Sequence, residues 1–453
     1  MDQLMRKAAV LTLGCKANQF ESAAMQEQLE NAGFAVGSLS AETELVVINT
    51  CTVTGATDSQ SRKLVRRARR ISPEARIFVT GCAAQVDPSM FTSLPGVEGV
   101  FGNMEKQNLQ EYLSESSPRV NVGDIAQAQN CPALKIRRFA GHSRAFVQIQ
   151  TGCDNFCSYC IIPYARGRSR SVPCADVVEQ IQILAAGGFQ EIVLTGIHIG
   201  RYGKDLPENI DLAFLVETIL RRTHAARIRL GSVEPQEVTP ALLHLIATSE
   251  RVCSHLHIPL QSGADTVLER MKRTYTRAYF RDLIAIIKQR IPDISLGLDV
   301  ITGFPGEDTA EFEQTRSLLE ELPFNHLHVF PYSNRKGTLA ARMPAQVPVA
   351  VRRERAALLR GMARSRSRHY ARGFIGTRVD AVFRRHPEPE PSGVPLWKGL
   401  SGEYLEVECV SNRDLGGRLQ RVVVEDVRGS SLLCSDTEVL KMCEGATGEY
   451  IKG

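Results

Sequence analysis

A chain of 453 residues, 43% apolar and 23% charged, has the composition of a globular protein of about three domains, each able to bury its own core. No run reaches the ~18 apolar residues of a membrane span, and the opening MDQLMRKAAVLTLGCKANQ lacks a signal-peptide core, which predicts a cytoplasmic protein with no membrane partner. A net charge of +5 permits a polyanionic partner without requiring one, and twelve cysteines in a reducing compartment point to metal ligation or redox chemistry over disulfides.

The first third alternates strands and helices. AAVLTLGC, TELVVINTC and ARIFVTGC are apolar, β-branched runs ending at Cys15, Cys51 and Cys82, and helical patterns follow over 19–32 and 59–70. That alternation predicts a parallel α/β sheet, whose ligands gather outside the carboxyl ends of its strands. Any one of these cysteines reads as a small core residue. Three in the same strand-end position read as a ligand set for a 4Fe–4S cluster with one open iron. Arg62, Arg66, Arg69 and Arg70 share a face of the second helix, which suits either RNA phosphates or plain solvation. Polar, weakly periodic residues follow from 101 to 138, with 119–138 expected as a linker and Cys131 without a partner.

Residues 151–171, TGCDNFCSYCIIPYARGRSRS, place Cys153, Cys157 and Cys160 as C-x3-C-x2-C on a Gly-rich loop. Thiolates this close hold iron or zinc. A structural zinc site needs a fourth ligand at knuckle spacing, and the next cysteine, Cys174, is 14 residues beyond Cys160. On a 4Fe–4S cluster, three cysteines instead leave one iron free to take a small molecule.

Beyond this loop, strand candidates AFVQIQT, EIVLTGI, RIRLGSV, HLHIPLQ, SLGLDVITGF and HLHVFPY alternate with helical stretches at 175–188, 211–224, 236–249, 264–290 in two parts, and 308–321. Six such units without a further pair predict an incomplete (β/α)6 barrel with its chemistry at the strands' carboxyl ends. His255/His257 and His326/His328 alternate along strands and read as core or lining residues, since no third metal ligand is evident beside them. The segment 351–373 is helical and crowded with arginine, the strongest local positive field in the chain. The short β-type runs GTRVDAVF, EYLEVECV, RLQRVVVEDV and SLLCS then follow, separated by turn-rich HPEPEPSG and SNRDLGG, predicting a small antiparallel β-barrel; Trp397 reads as a packing residue or, less simply, a base-stacking one.

The cysteine spacing at 153–160 resembles the radical S-adenosylmethionine (SAM) superfamily, and TLGCKANQFES, NTCTVT and TGCAAQ resemble the amino-terminal domain of the methylthiotransferase family within it. GCKxNQ, NTCTVT and GCDNFCxYCIIPYARGRSRS are most similar to the subgroup acting on N6-threonylcarbamoyladenosine in tRNA. Ala17, Thr57 and Gln60 depart from its usual Val, Ala and Lys, and none of the three is a thiolate. The resemblance covers nearly the whole chain. It implies a methylthiotransferase amino-terminal domain over 1–118, a radical SAM core over 139–370 and an RNA-binding TRAM-like domain over 371–441. Two 4Fe–4S clusters are implied, on Cys153, Cys157 and Cys160 and on Cys15, Cys51 and Cys82, with SAM as cosubstrate. Strand-end position then nominates Thr195, Gly196, Ser232, Glu234, Gln261, Ser262 and Asp299, and family position nominates Tyr159, as SAM contacts.

The activity implied is methylthiolation of carbon 2 of the adenine 3′ of the anticodon, in the single-stranded anticodon loop of tRNA, with an electron donor and a sulfur donor as further partners. Alternatives are the same chemistry on isopentenyladenosine or a ribosomal-protein aspartate, or a non-enzymatic iron–sulfur RNA-binding protein.

Overall fold

The computed structural model describes residues 6–113, 118–139, 141–390 and 393–436. The first domain is a six-stranded, all-parallel sheet ordered Ala35–Val36, Lys7–Thr12, Leu45–Thr50, Arg76–Gly81, Val97–Phe101, Val120–Asn121. Every residue of its central strand Leu45–Thr50 is buried, because both faces are covered. Val46 and Ile48 pack with Val65 and Ala68 of helix Gly55–Ile71 on one face; Leu45 and Val47 pack with Met25 and Leu29 of helix Lys16–Asn31 on the other. The strand at 120–121 lies in the stretch expected as a linker and extends the sheet. Cys131, without an evident partner in the sequence, is core and accepts from Gln148 Nε2 at 3.8 Å.

The central domain carries six parallel strands in chain order: Ala145–Gln148, Glu191–Thr195, Arg227–Leu230, His255–Gln261, Ser295–Thr302 and His326–Pro331. Two three-stranded sets are joined by isolated parallel bridges, Ile228 to Val252 and Ser232 to His257. The arc does not close, as six units imply. Its first edge is covered by the amino-terminal domain: Phe20, Ala23 and Ala24 of helix Lys16–Asn31 join the barrel's apolar core. Its last edge is covered by helix Val349–Arg372.

That arginine-rich helix is less of a free positive field than its composition suggests. Arg355 forms a buried pair with Glu307 at 2.6 Å, and Arg352, Arg360 and Arg366 donate to the carbonyls of Tyr332 (3.0 Å), Val329 (2.8 Å) and Leu322 (3.1 Å). Arginine is used here to satisfy strand-end and turn carbonyls, and Arg353, Arg364, Arg368 and Arg372 remain exposed.

The last domain is a closed five-stranded barrel in the order Arg378–Phe383, Leu396–Ser401, Glu406–Val410, Ser431–Asp436, Leu419–Arg428. The expectation of a fully antiparallel barrel needs one correction, since Glu406–Val410 and Ser431–Asp436 run parallel. An odd number of strands cannot close with every neighbour antiparallel. Trp397 is buried and donates Nε1–H to Ser411 O at 3.0 Å, a packing role. Residues 437–441 of the expected domain lie outside the described residues.

This small barrel seals the amino-terminal end of the large one. Arg227 donates to Asp380 O (2.8 Å) and Leu400 O (2.9 Å), and Arg229 to Ser401 O (2.8 Å) and Gly402 O (3.0 Å), with Glu191 buried between the two guanidiniums. Tyr404 rises into the same end, stacking on His255 at 4.5 Å between centroids. The central barrel is therefore floored, and its working opening is at the strands' carboxyl ends.

Candidate active site

Cys15 caps helix Lys16–Asn31, Cys51 follows strand Leu45–Thr50, and Cys82 opens helix Cys82–Val86 directly after strand Arg76–Gly81. These are neighbouring strands, so all three cysteines stand along one sheet edge. Two glycines make the approach possible. Gly14 has φ +104°, and a Cβ there would lie 2.7 Å from Cys51 Cβ; Gly81 has φ +95°, and its Cβ would lie 2.5 Å from Thr50 N. Asn18 stitches the first two loops together through Leu13 O at 2.7 Å and Thr50 O at 3.0 Å.

Cys153, Cys157 and Cys160 follow the first barrel strand. His198 Nδ1 lies 3.5 Å from Cys153 Sγ and its Nε2 lies 2.8 Å from Glu237. Burial opposes a charged ring, but the contacts with Cys153 and Glu237 outweigh it and lift the pKa of His198 to about 10. Arg273 donates to Cys157 Sγ at 3.2 Å and is ion-paired with Glu234. In the other trio, Arg166 donates Nε–H to Cys82 Sγ at 3.1 Å and is ion-paired with Glu21.

Burial pushes Cys51 up to about 11 and Cys160 up to about 12, so these sulfurs become thiolates only against a strong positive charge such as iron. Among the described residues, only His257, Asp299 and His328 bring three ligand atoms within 4.8 Å of one another. One zinc ion draws its sulfurs to roughly 3.8 Å of each other. In neither cysteine trio do all three sulfurs lie within 4.8 Å of one another, so neither is drawn in around a single ion.

A cavity of about 240 Å³ is lined by Val53 and Thr54, two and three residues beyond Cys51, and by Tyr159 and Cys160. The domains are clasped beside it: Arg335 Nη1 reaches Asp58 at 2.5 Å, Arg335 also bonds Thr52, and Gly55 N donates to Ser333 Oγ at 3.0 Å.

The residues nominated for SAM divide. Tyr159, Gln261 and Asp299 line the cavity; Gln261 sits at φ +63°, a strained position for a residue with a side chain. Gly196 faces Gln150, whose carbonyl a Cβ would meet at 2.7 Å, and the adjoining His198 N donates to Gln150 Oε1 at 2.7 Å, which aims the histidine at Cys153. Glu234 is engaged by Arg273. Ser262 is fully buried against Thr315, with 3.2 Å between their hydroxyls, and shapes the loop instead.

The histidine pairs do have a third ligand group beside them, on the strand between: Asp299 Oδ1 lies 2.9 Å from His257 Nε2 and 3.1 Å from His328 Nδ1. Burial opposes charge on this carboxylate, yet the two imidazoles hold its pKa well below the usual range. Sequence reading missed Arg166, His198, Glu237, Arg273, Arg335 and Asp58; Arg166 stood inside the quoted loop, but nothing in a linear motif shows that it reaches Cys82.

An open (β/α)6 barrel with a three-cysteine loop at its mouth defines a radical SAM protein, and the model described as Radical SAM superfamily matches residues 147–319. A second, described as Uncharacterized protein family UPF0004, matches residues 7–102. The fold is shared with the radical SAM methyltransferase TsrM from Kitasatospora setae bound to cobalamin and a 4Fe–4S cluster, at TM-score 0.54 and 18% identity over 72% of this chain and 75% of that one. Among relatives, the threonylcarbamoyladenosine tRNA methylthiotransferase MtaB of Bacillus subtilis is 37% identical, covering 93% of this chain and 94% of its own. That of Rickettsia prowazekii is 39% identical over 83% and 87%, and the tRNA-2-methylthio-N(6)-dimethylallyladenosine synthase of Moorella thermoacetica is 33% identical over 91% and 94%. The chain belongs to the MtaB family of radical SAM methylthiotransferases. Its cofactors are accordingly SAM and two 4Fe–4S clusters, and no helix among the described residues is long and apolar enough to cross a membrane.

Proposed function

We propose that the chain methylthiolates N6-threonylcarbamoyladenosine 3′ of the anticodon of tRNA, with one cluster on Cys153, Cys157 and Cys160 and the other on Cys15, Cys51 and Cys82. The observation carrying this reading is the shared cavity: Val53 and Thr54, just beyond Cys51, line the same space as Tyr159 and Cys160. When bound, the first cluster and SAM supply a radical able to attack an unactivated aromatic C–H, and the second supplies sulfur.

The residues of the chain position and shield that chemistry. Arg273 and His198 hold Cys157 and Cys153 by donated hydrogen bonds, and each is backed by a carboxylate, Glu234 or Glu237, that fixes its orientation. Tyr159 is held edge-on by Phe304, 6.5 Å between centroids, and offers an aromatic face for adenine. The Arg335–Asp58 clasp and the barrel floor keep bulk water from entering except at the mouth, where the anticodon-loop base arrives splayed from its stack.

Exposed Lys63, Arg66, Arg67 and Arg70, on the helix that follows the Cys51 loop, are placed to hold RNA phosphates. Arg69, expected on the same face, instead donates to Pro73 O and Gly96 O. The turnover further requires an electron donor and a sulfur donor, and a tRNA substrate supports a cytoplasmic location. Mass spectrometry of tRNA nucleosides tests the reading: deletion of the gene removes 2-methylthio-N6-threonylcarbamoyladenosine and complementation restores it. Persistence of that nucleoside in the deletion strain, or loss of the dimethylallyl derivative instead, overturns it.

A further inference from the structure

We propose that Arg166 is the positioning residue of the amino-terminal cysteine site, binding Cys82 directly and setting the charge, and hence the reduction potential, of the cluster held there. This rests on the assignment of Cys15, Cys51 and Cys82 to a cluster.

Arg166 ends the short helix Ile162–Arg166, six residues beyond Cys160, yet its guanidinium lies inside the other domain and is 2% exposed. All three nitrogens are engaged. Nε donates to Cys82 Sγ at 3.1 Å, Nη1 and Nη2 meet the Glu21 carboxylate, and Nη2 also meets Asn18 Oδ1. Asn18 in turn holds the carbonyls of Leu13 and Thr50, which lead into Cys15 and Cys51. One side chain from the radical SAM loop thereby governs all three cysteine loops of the amino-terminal domain.

Burying charge here is costly, and a simple joint between domains is better made of apolar residues. Glu21 also binds Lys106 at 2.6 Å, so two buried cations stand against one carboxylate beside Cys15 and Cys82. At the other site, Arg273 and Glu234 balance one to one. Hydrogen bonds and positive charge at cluster sulfurs favour the reduced, more anionic state. The amino-terminal cluster is thus held at a higher potential than it would have without Arg166, suiting an open iron that carries anionic sulfur.

The test is an anaerobic redox titration of the reconstituted full chain, followed by electron paramagnetic resonance, in a Cys153→Ala/Cys157→Ala/Cys160→Ala background that leaves one cluster to observe. Arg166→Gln lowers the midpoint by a tenfold change in the one-electron equilibrium, about 59 mV. Arg166→Lys recovers part of the shift, and Glu21→Gln, which leaves both cations unopposed, moves the midpoint upward. An unmoved midpoint in Arg166→Gln, or a downward shift in Glu21→Gln, overturns the proposal; should Arg166→Gln fail to fold, Arg166→Lys and Glu21→Gln decide by the same signs. Iron content separates this from failure of the underlying assignment: about four irons per wild-type chain, in place of about eight, refutes the second cluster itself.

Discussion

Of the two cysteine sites, one is written in eight consecutive residues and the other exists only once a sheet has formed. Cys153, Cys157 and Cys160 need a single loop to be in place, whereas Cys15, Cys51 and Cys82 need three strands in register and two glycines that let their loops meet. Both are finished alike, with an arginine donating to one sulfur and a carboxylate behind it. The contrast separates a local site from a tertiary one, and it predicts that damage to each has a different signature.

The sharpest separation comes from the ligands. Cys157→Ala abolishes both 5′-deoxyadenosine formation and methylthiolated product, while Cys51→Ala abolishes the product and leaves SAM cleavage measurable by chromatography of 5′-deoxyadenosine. If Cys51→Ala kept its product, the two sites would not have the roles assigned here.

Next in size are the glycines. Gly152, at φ +74°, would carry a Cβ 1.8 Å from Arg168 O, and Gly14 one that strikes Cys51. Gly152→Ala is expected to lose the barrel cluster and Gly14→Ala the amino-terminal one, each dropping iron from about eight to about four per chain. Gly14→Ala also costs roughly 1–3 kcal/mol of stability, read by urea unfolding.

The clasp affects stability alone and not cluster content. Arg335→Ala leaves the largely buried Asp58 carboxylate without its guanidinium, and a loss of about 3 kcal/mol is expected, with both clusters still assembled.

The smallest effect is a dependence on pH. Burial, reinforced by neighbouring histidines, pushes His326 down to about 4 and His255 also well below its ordinary value, so both are neutral in the folded chain. Between pH 6.5 and 4 the unfolded chain binds protons that the folded one does not, and stability falls as pH is lowered through that window. A loss of about 2 kcal/mol from His326 is expected, absent in His326→Asn and measured by denaturant unfolding at pH 7 and pH 5.

The same division marks how much was legible from the sequence. Strongly periodic or β-branched runs, such as TELVVINTC and SLGLDVITGF, became the strands they resemble, and the compact cysteine loop announced its chemistry by spacing. Val97–Phe101 and Leu396–Ser401 were not anticipated, because Glu98 and Gly99 in one and Lys398 and Gly399 in the other interrupt the apolar alternation that marks a strand. The arginine-rich helix was misjudged for a related reason: composition counts charges, and only folding shows that Arg352, Arg355, Arg360 and Arg366 turn inward to carbonyls and a carboxylate. Contacts across more than 80 residues, such as Arg166 with Cys82, leave no linear trace at all.

The proposal that these two cysteine sets hold two separate clusters is tested most directly by iron and sulfide counts on three anaerobically reconstituted chains: the wild type, the Cys15→Ala/Cys51→Ala/Cys82→Ala variant and the Cys153→Ala/Cys157→Ala/Cys160→Ala variant. About eight irons in the wild type and about four in each variant is the predicted result. Four irons in the wild type, or no loss from the amino-terminal variant, would contradict it.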